Sequence, residues 1–312
     1  MNISACIITD NNPKVLDAIK SVYFYVKEII LVNTANEFTL DISGLSKVKL
    51  FSFKWCDNFG KARNFAIKKA KGDYILTIDS DEILETNLSK LTNEYDFYFT
   101  EINNNGQLYK NIRLFRNHMG IKYDNMIHES VEASCKGLKG AKTNIIFKHS
   151  GYELSADEMR AKAERNYRIL LKDKKNIGRN IHFAKHFHVL ADYKSAIYYA
   201  EKALKQSNIN EDNKAILCIL IYDCYNKMGM TNAGIDYLRL SIQFLPMQVH
   251  ARYLLVNYLY GLSDKFKHKE LILKQLITIG SLITYRNSEM SNDIYCDINF
   301  VNKTRKEIEK WQ

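Results

Sequence analysis

Apolar positions follow two different rhythms along this chain. In the first half, short unbroken apolar runs alternate with segments that repeat every three or four residues. ISACIITD (3–10) and EIILVNT (28–34) read as strands buried on both faces, and KVKLFSFKW (47–55) as a third with period-two alternation. Between the first two lies PKVLDAIKSVYFYV, a helix opened by Pro13, a favoured early helical position. NFGKARNFAIKKAK follows, with Phe59, Ala62, Phe65, Ala66, Ile67 and Ala70 at helical spacing and Gly72 as the expected stop. GDYILTIDSDEIL (72–84) opens as another buried strand. The order strand, helix, strand, strand, helix, strand predicts an α/β domain built on a parallel, doubly wound sheet.

DFYFTEI (96–102) and YKNIRLFRN (109–117) come next, separated by NNNG, which reads as a hairpin turn. NMIHESVEAS and TNIIFKHSGY (143–152) are two short pieces, each carrying a histidine. Near residue 153 the rhythm changes: from ELSADEMRAKAERNYRILLKD onward the period is helical almost to the end. Two domains are therefore expected, residues 1–152 and residues 153–312.

The second half repeats itself. ADYKSAIYYAEKALKQSNIN aligns with MTNAGIDYLRLSIQFLPMQ, placing Ala196 on Gly234, Ala200 on Leu238, Ala203 on Ser241 and Asn208 on Pro246, an offset of 38. That is slightly longer than the tetratricopeptide period of about 34. Small residues at these sites let helices pack closely, so a short solenoid of helical hairpins is expected, with a plain bundle as the alternative. HARYLLVNYLYGLSDKFKHKELILKQLI would form a third unit and FVNKTRKEIEKWQ a capping helix.

Composition narrows the picture only slightly. A chain of 312 residues with 46% hydrophobic and 26% charged positions has the balance of a globular protein, and no apolar run approaches the roughly 20 residues that span a bilayer. MNISACIITDNN lacks the basic start and long apolar stretch of a signal peptide, so a cytoplasmic location is expected. Six scattered cysteines without a CxxC pair argue against a disulfide or zinc framework. The net charge of +10 suits a polyanionic partner, nucleic acid included, but much of it is lysine on amphipathic segments where a solvated face explains it.

The acids that follow the strand at residues 74–78 carry the chemistry. Asp79, Asp81 and Glu82 fall within four positions with no basic neighbour, and carboxylates so close repel one another unless something positive lies between them. In an open α/β sheet, ligands bind beyond the carboxyl ends of the strands, where these residues are expected. A DxD spacing lets one carboxylate face a nucleoside while the other reaches a divalent cation, with Ser80 keeping the turn tight. Oxygen ligands of this kind suit Mg²⁺ or Mn²⁺ completed by diphosphate oxygens. His182, His186 and His188 have HxxxH spacing but sit within the helical repeat with no acid resembling a general base, and the tyrosines from Tyr193 to Tyr237 are read as helix packing.

CDNFGKARNFAIKKAKGDYILTIDSDE, followed in order by IRLFRN, IHE, a strand ending in HSGY and a helical tail, resembles family 2 glycosyltransferases of the GT-A fold with tetratricopeptide-like repeats. That resemblance implies a metal-dependent, inverting glycosyltransferase using a nucleotide-diphospho-sugar, a UDP-sugar first among them. It places Asp79 near the nucleoside, Asp81 on the cation, and Arg63, Asn64 and Ser80 around the nucleotide and diphosphate. Thr9 and Asn33 would contact the base, although VNTAN stands here where the family usually has a VDTGS-like stretch. His149 would complete the metal shell. Glu129 is the first choice of general base, with His128 and Glu82 as competitors. The resemblance includes bacterial enzymes that glycosylate flagellin or peptides, which points to a protein or peptide acceptor ahead of a modified DNA base or a cell-envelope glycan. The repeat surface is also a candidate for self-association. A scaffold with an inactive front domain is the remaining alternative, and the intact Asp79, Asp81 and ARN triplet speak against it.

Overall fold

A computed structural model describes residues 1–88, 91–104, 107–149, 155–286 and 296–310. The chain forms two compact units, Met1–Asn176 and Ile177–Gln312.

The first unit is built on one eight-stranded mixed sheet. Its strands are β1 (Ile3–Thr9), β2 (Glu28–Asn33), β3 (Val48–Ser52), β4 (Tyr74–Asp79), β5 (Glu82–Leu84), β6 (Phe97–Asn104), β7 (Gln107–Arg116) and β8 (Gly140–His149), in the order β3-β2-β1-β4-β7-β6-β8-β5. The first four run parallel, as the apolar runs predict, and β7 joins β4 antiparallel. Period two divides the buried side chains between two faces. Ala5, Ile7, Leu31, Leu76 and Ile78 pack on one side with Val15, Ile19 and Val22 of α1 (Val15–Val22). Cys6, Ile30, Val32 and Ile75 pack on the other with Ala66 of α2 (Phe59–Lys69) and Ala70 just beyond it. Each fully buried Ile or Leu contributes about 1.5–3 kcal/mol.

The parallel register sets Thr9 beside Asn33 and Ile8 beside Asp79, so one end of the sheet gathers the residues singled out above. At the opposite end, Glu28 accepts from Ser4 Oγ, the Lys71 amide and Lys49 Nζ. Gly72 belongs to this cluster. Its amide donates to Ser4 Oγ at 2.7 Å, and a Cβ there would lie 2.7 Å from the Ser4 nitrogen. Helix α2 has already ended at Lys69, so close approach to β1 explains the glycine better than a helix stop.

Strands β6 and β7 pair antiparallel as a hairpin up to Asn104 opposite Gln107, while residues 105–106 of the expected turn lie outside the described residues. Ser150, Gly151 and Tyr152 of the HSGY stretch also lie outside them. After β8, α3 (Ala156–Lys172) starts with a reciprocal capping box between Ser155 and Glu158 and completes the first unit.

The second unit is helical: α4 (Arg179–Val189), α5 (Tyr193–Leu204), α6 (Glu211–Lys227), α7 (Thr231–Phe244), α8 (Val249–Gly261), α9 (Lys269–Arg286) and α10 (Ile298–Ile308). Helix α4 packs on α5, α6 on α7, and α8 on α9, each pair joined by a short connection. Three of the four aligned pairs fall on α5 and α7, the second helices of successive hairpins, and Asn208 and Pro246 lie in the turns that follow them. Ala196, Ala200 and Ala203 are buried on α5, and Gly234, Leu238 and Ser241 on α7. A Cβ on Gly234 would lie 3.1 Å from the Tyr222 backbone, so the small residue sets how closely α7 meets α6. Phe187 stacks on Tyr199 and Tyr225 on Tyr237, and His188 bonds Asp223 at 2.6 Å. Among the described residues, no helix is long and apolar enough to cross a membrane.

Candidate active site

Five charged side chains meet beyond the end of β4. Arg63 of α2 donates Nε to Glu129 Oε1 at 2.6 Å and a terminal nitrogen to Asp79 Oδ1. Arg113 of β7 donates to Asp79 Oδ2 at 2.8 Å and to Glu82 Oε1 at 2.7 Å. Glu82 also accepts the Asp79 amide at 3.0 Å, and Tyr123 lies beneath the Arg63 guanidinium with its hydroxyl on Thr77. Both arginines and Glu82 are buried. The repulsion among the acids is therefore relieved in part by two guanidinium groups brought from distant sequence.

Burial alone would raise the Asp79 carboxyl, but Arg113 and Arg63 outweigh it and hold the group far below the usual carboxylate range. Glu82 moves the other way: burial, reinforced by the Asp79 charge, pushes it above the ordinary glutamate value despite Arg113. Asp79 is thus held as a fixed anion, while Glu82, at the same guanidinium, binds its proton more tightly. Among the described residues, Arg113 Nε is buried without a hydrogen-bond partner, and the bonds that hold Arg113 come from its terminal nitrogens.

The segment carrying Glu129 is an irregular loop pinned to α2. Asn64 bonds both backbone groups of Tyr123, accepting its N–H and donating to its C=O at 2.8 Å each. The Phe59 amide donates to Met126 O at 2.8 Å, and Gly60 permits the approach, since a Cβ there would sit 2.3 Å from Asn125 O. Asn125 and His128 both adopt left-handed backbone conformations, at φ 69° and 52°.

A cavity of about 1000 Å³ opens over this network. Thr9, Arg63, Asp79 and Ser80 line it, together with Asp81, His128, Glu129 and His149. Asn33, Asn64 and Glu82 are placed otherwise: Asn33 is buried and bonds the backbone of Ala35 through both ends of its amide, Asn64 clamps Tyr123, and Glu82 lies beneath Arg113. Arg113, Tyr123, Trp55 and Arg165 also line the cavity and were given no role by the sequence. For Arg113 a signal existed, a basic residue inside the apolar run IRLF, which needs an acidic partner on a neighbouring strand. Trp55 packs edge-on against Phe59 at 4.8 Å, and the Arg165 guanidinium lies 5.3 Å from the Phe59 ring.

Asp81 and His149 meet because β5 pairs antiparallel with β8, setting Glu82 opposite His149. His149 Nδ1 lies 3.8 Å from Asp81 Oδ2 at the cavity wall. Asp79 is already bonded by two arginines, and among the described residues no group of three or more His, Cys, Asp or Glu side chains is placed to hold a metal. The protein side thus offers one carboxylate and one imidazole. That donor set fits a cation whose remaining ligands come from phosphate oxygens rather than a self-contained metal site.

Ligands of an open α/β sheet bind beyond the carboxyl ends of its strands, where these acids and arginines converge. Residues 4–146 match the model of the family described as glycosyl transferase family 2. A TPR repeat-containing protein of Synechococcus elongatus is 33% identical over 183 residues, covering 52% of this chain and 45% of that protein. The SPbeta prophage-derived glycosyltransferase SunS of Bacillus subtilis is 22% identical over 280 residues, covering 78% of this chain and 66% of its own length. The chain therefore spans less than two thirds of either relative. Among solved structures, residues 1–349 of S. aureus TarS in complex with UDP-GlcNAc align with a TM-score of 0.46 at 14% identity, covering 77% of this chain and 92% of that one.

Proposed function

We propose that the protein transfers a sugar from a nucleotide-diphospho-sugar to a protein or peptide side chain, by a single displacement with inversion. The observation that carries this reading is the shared cavity, in which the Asp79-Ser80-Asp81 strand end faces the loop bearing His128 and Glu129. Asp79, fixed as an anion by Arg63 and Arg113, accepts donor hydroxyls on the nucleoside side. Asp81 and His149 would hold a divalent cation, Mn²⁺ or Mg²⁺, which would supply positive charge to the departing diphosphate. Glu129 takes the acceptor proton as the acceptor oxygen bonds to the anomeric carbon and the bond from that carbon to the diphosphate breaks, its electron pair leaving with the diphosphate. Arg63 orients Glu129 by holding Oε1, leaving the second carboxylate oxygen for the proton. A polypeptide acceptor is favoured because helical hairpins follow the transferase domain and such repeats offer extended surfaces to polypeptides.

The test is a thermal-shift screen of UDP- and GDP-sugars with and without Mn²⁺. A ligand that binds only the folded state raises its melting temperature. One nucleotide class should raise it, and more so with Mn²⁺; no shift with any of them contradicts the proposal.

A further inference from the structure

The loop that presents His128 and Glu129 is held from a second side, by residues beyond the stretch that matches the family. Helix α3 ends at Lys172, and the turn after it carries Asp173 and Asn176, which are 4% and 6% exposed although Lys172, Lys174 and Lys175 surround them in sequence. A carboxylate so deeply buried needs a donor. Asp173 Oδ2 accepts the Met126 amide at 2.7 Å, and Asn176 Nδ2 donates to Ile127 O at 3.2 Å. With Phe59 N on Met126 O, the backbone of residues 126–127 is fixed on two sides, immediately before the left-handed His128 and then Glu129. A left-handed non-glycine residue is strained and persists only where its surroundings impose it.

We infer that Asp173 and Asn176 are positioning residues of the transfer site: they hold the 125–129 loop so that Glu129 stays on Arg63 and faces the cavity. This rests on the function proposed above. The transferase site accordingly extends through α3 and its terminal turn, past residue 146, where the family match ends. Residues Glu158, Lys162 and Arg165 of α3 line the same cavity, which agrees with that extension.

Full-length Asp173→Ala, Asp173→Asn and Asn176→Ala variants test it with three readouts: hydrogen exchange over residues 123–131, UDP affinity by calorimetry with Mn²⁺, and release of nucleoside diphosphate from sugar nucleotides. In Asp173→Ala, exchange in the loop accelerates and turnover falls by about tenfold to a hundredfold, the scale of an ångström-level misplacement. UDP affinity stays near wild type, because the strand-end residues are untouched. Asp173→Asn restores both loop protection and turnover, since its amide oxygen accepts the same N–H. A folded Asp173→Ala that loses UDP binding and turnover together would overturn the inference. So would a folded Asp173→Ala with wild-type exchange and turnover, or a folded Asp173→Asn as defective as the alanine variant. If Asp173→Ala does not fold, Asn176→Ala, which removes one longer bond, takes its place. A wild type that turns over no sugar nucleotide contradicts the function proposed above, and the exchange arm still decides whether the turn holds the loop.

Discussion

Arg63 and Glu129, 66 positions apart in sequence, are joined by a 2.6 Å bond from Nε to Oε1, and the same guanidinium reaches Asp79. One side chain thus ties Asp79 at the strand end to Glu129, the base of the proposed reaction. A lysine cannot make both bonds from one rigid planar group. Arg63→Lys should lower turnover by about a hundredfold while leaving a folded protein with a reduced melting temperature. Rates and melting curves on the same preparation check it.

Arg113 sits between Asp79 and Glu82, and its removal leaves the half-buried Asp79 and the buried Glu82 without their shared partner. Arg113→Leu is expected to destabilise the protein by about 3–5 kcal/mol, the usual range when one member of a buried pair is lost. Removing Glu82 as well, in Arg113→Leu/Glu82→Leu, should recover part of that loss. Denaturant unfolding of the two single variants and the double variant measures the coupling.

Glu28 supplies a pH dependence away from the site. Burial would raise its carboxyl, but the bonds from Lys49, Ser4 and the Lys71 amide outweigh burial and hold it below the ordinary value of 4.5. A group depressed in the folded state contributes stability above its unfolded value, and this is lost as pH falls through the folded one. Between pH 7 and pH 3, stability should therefore fall more steeply in the wild type than in Glu28→Gln, as chemical unfolding across that range will show.

Gly60→Ala would place a Cβ 2.3 Å from Asn125 O, so either α2 or the 125–129 loop must move. Overpacking of this kind costs about 1–3 kcal/mol, and here the displaced segment is the one bearing Glu129. Turnover should fall more than melting temperature would suggest, with UDP affinity little changed. Calorimetry beside a turnover assay separates the two effects.

Much of the fold was legible because β1, β2 and β4 are covered on both faces and so appear as unbroken apolar runs. The acids of 79–82 were legible for the related reason that a buried strand ending in charge marks a sheet terminus. For Arg113 the run IRLF signalled only the need for an acidic partner; that the partners are Asp79 and Glu82 follows from the sheet pairing, which no local pattern records. Asn33 and Asn64 looked like ligand-facing amides, yet their bonds go to the backbone of Ala35 and Tyr123, a matter of loop geometry. The change of rhythm near residue 153 marks the start of α3, while the compact first unit runs on to Asn176, because Asp173 and Asn176 bond back to the 126–127 backbone. The helical repeat was visible through its small residues, which must recur wherever a second helix crosses the first of its hairpin.

The most direct measurement of the central claim is release of nucleoside diphosphate from a panel of sugar nucleotides, by wild type and Asp81→Ala, with and without Mn²⁺. Wild type should release it from at least one nucleotide in a Mn²⁺-dependent manner, and folded Asp81→Ala should lose about a hundredfold or more of that rate. Equal rates in the two proteins, or no release from any donor, would contradict a donor site built on Asp81 and His149.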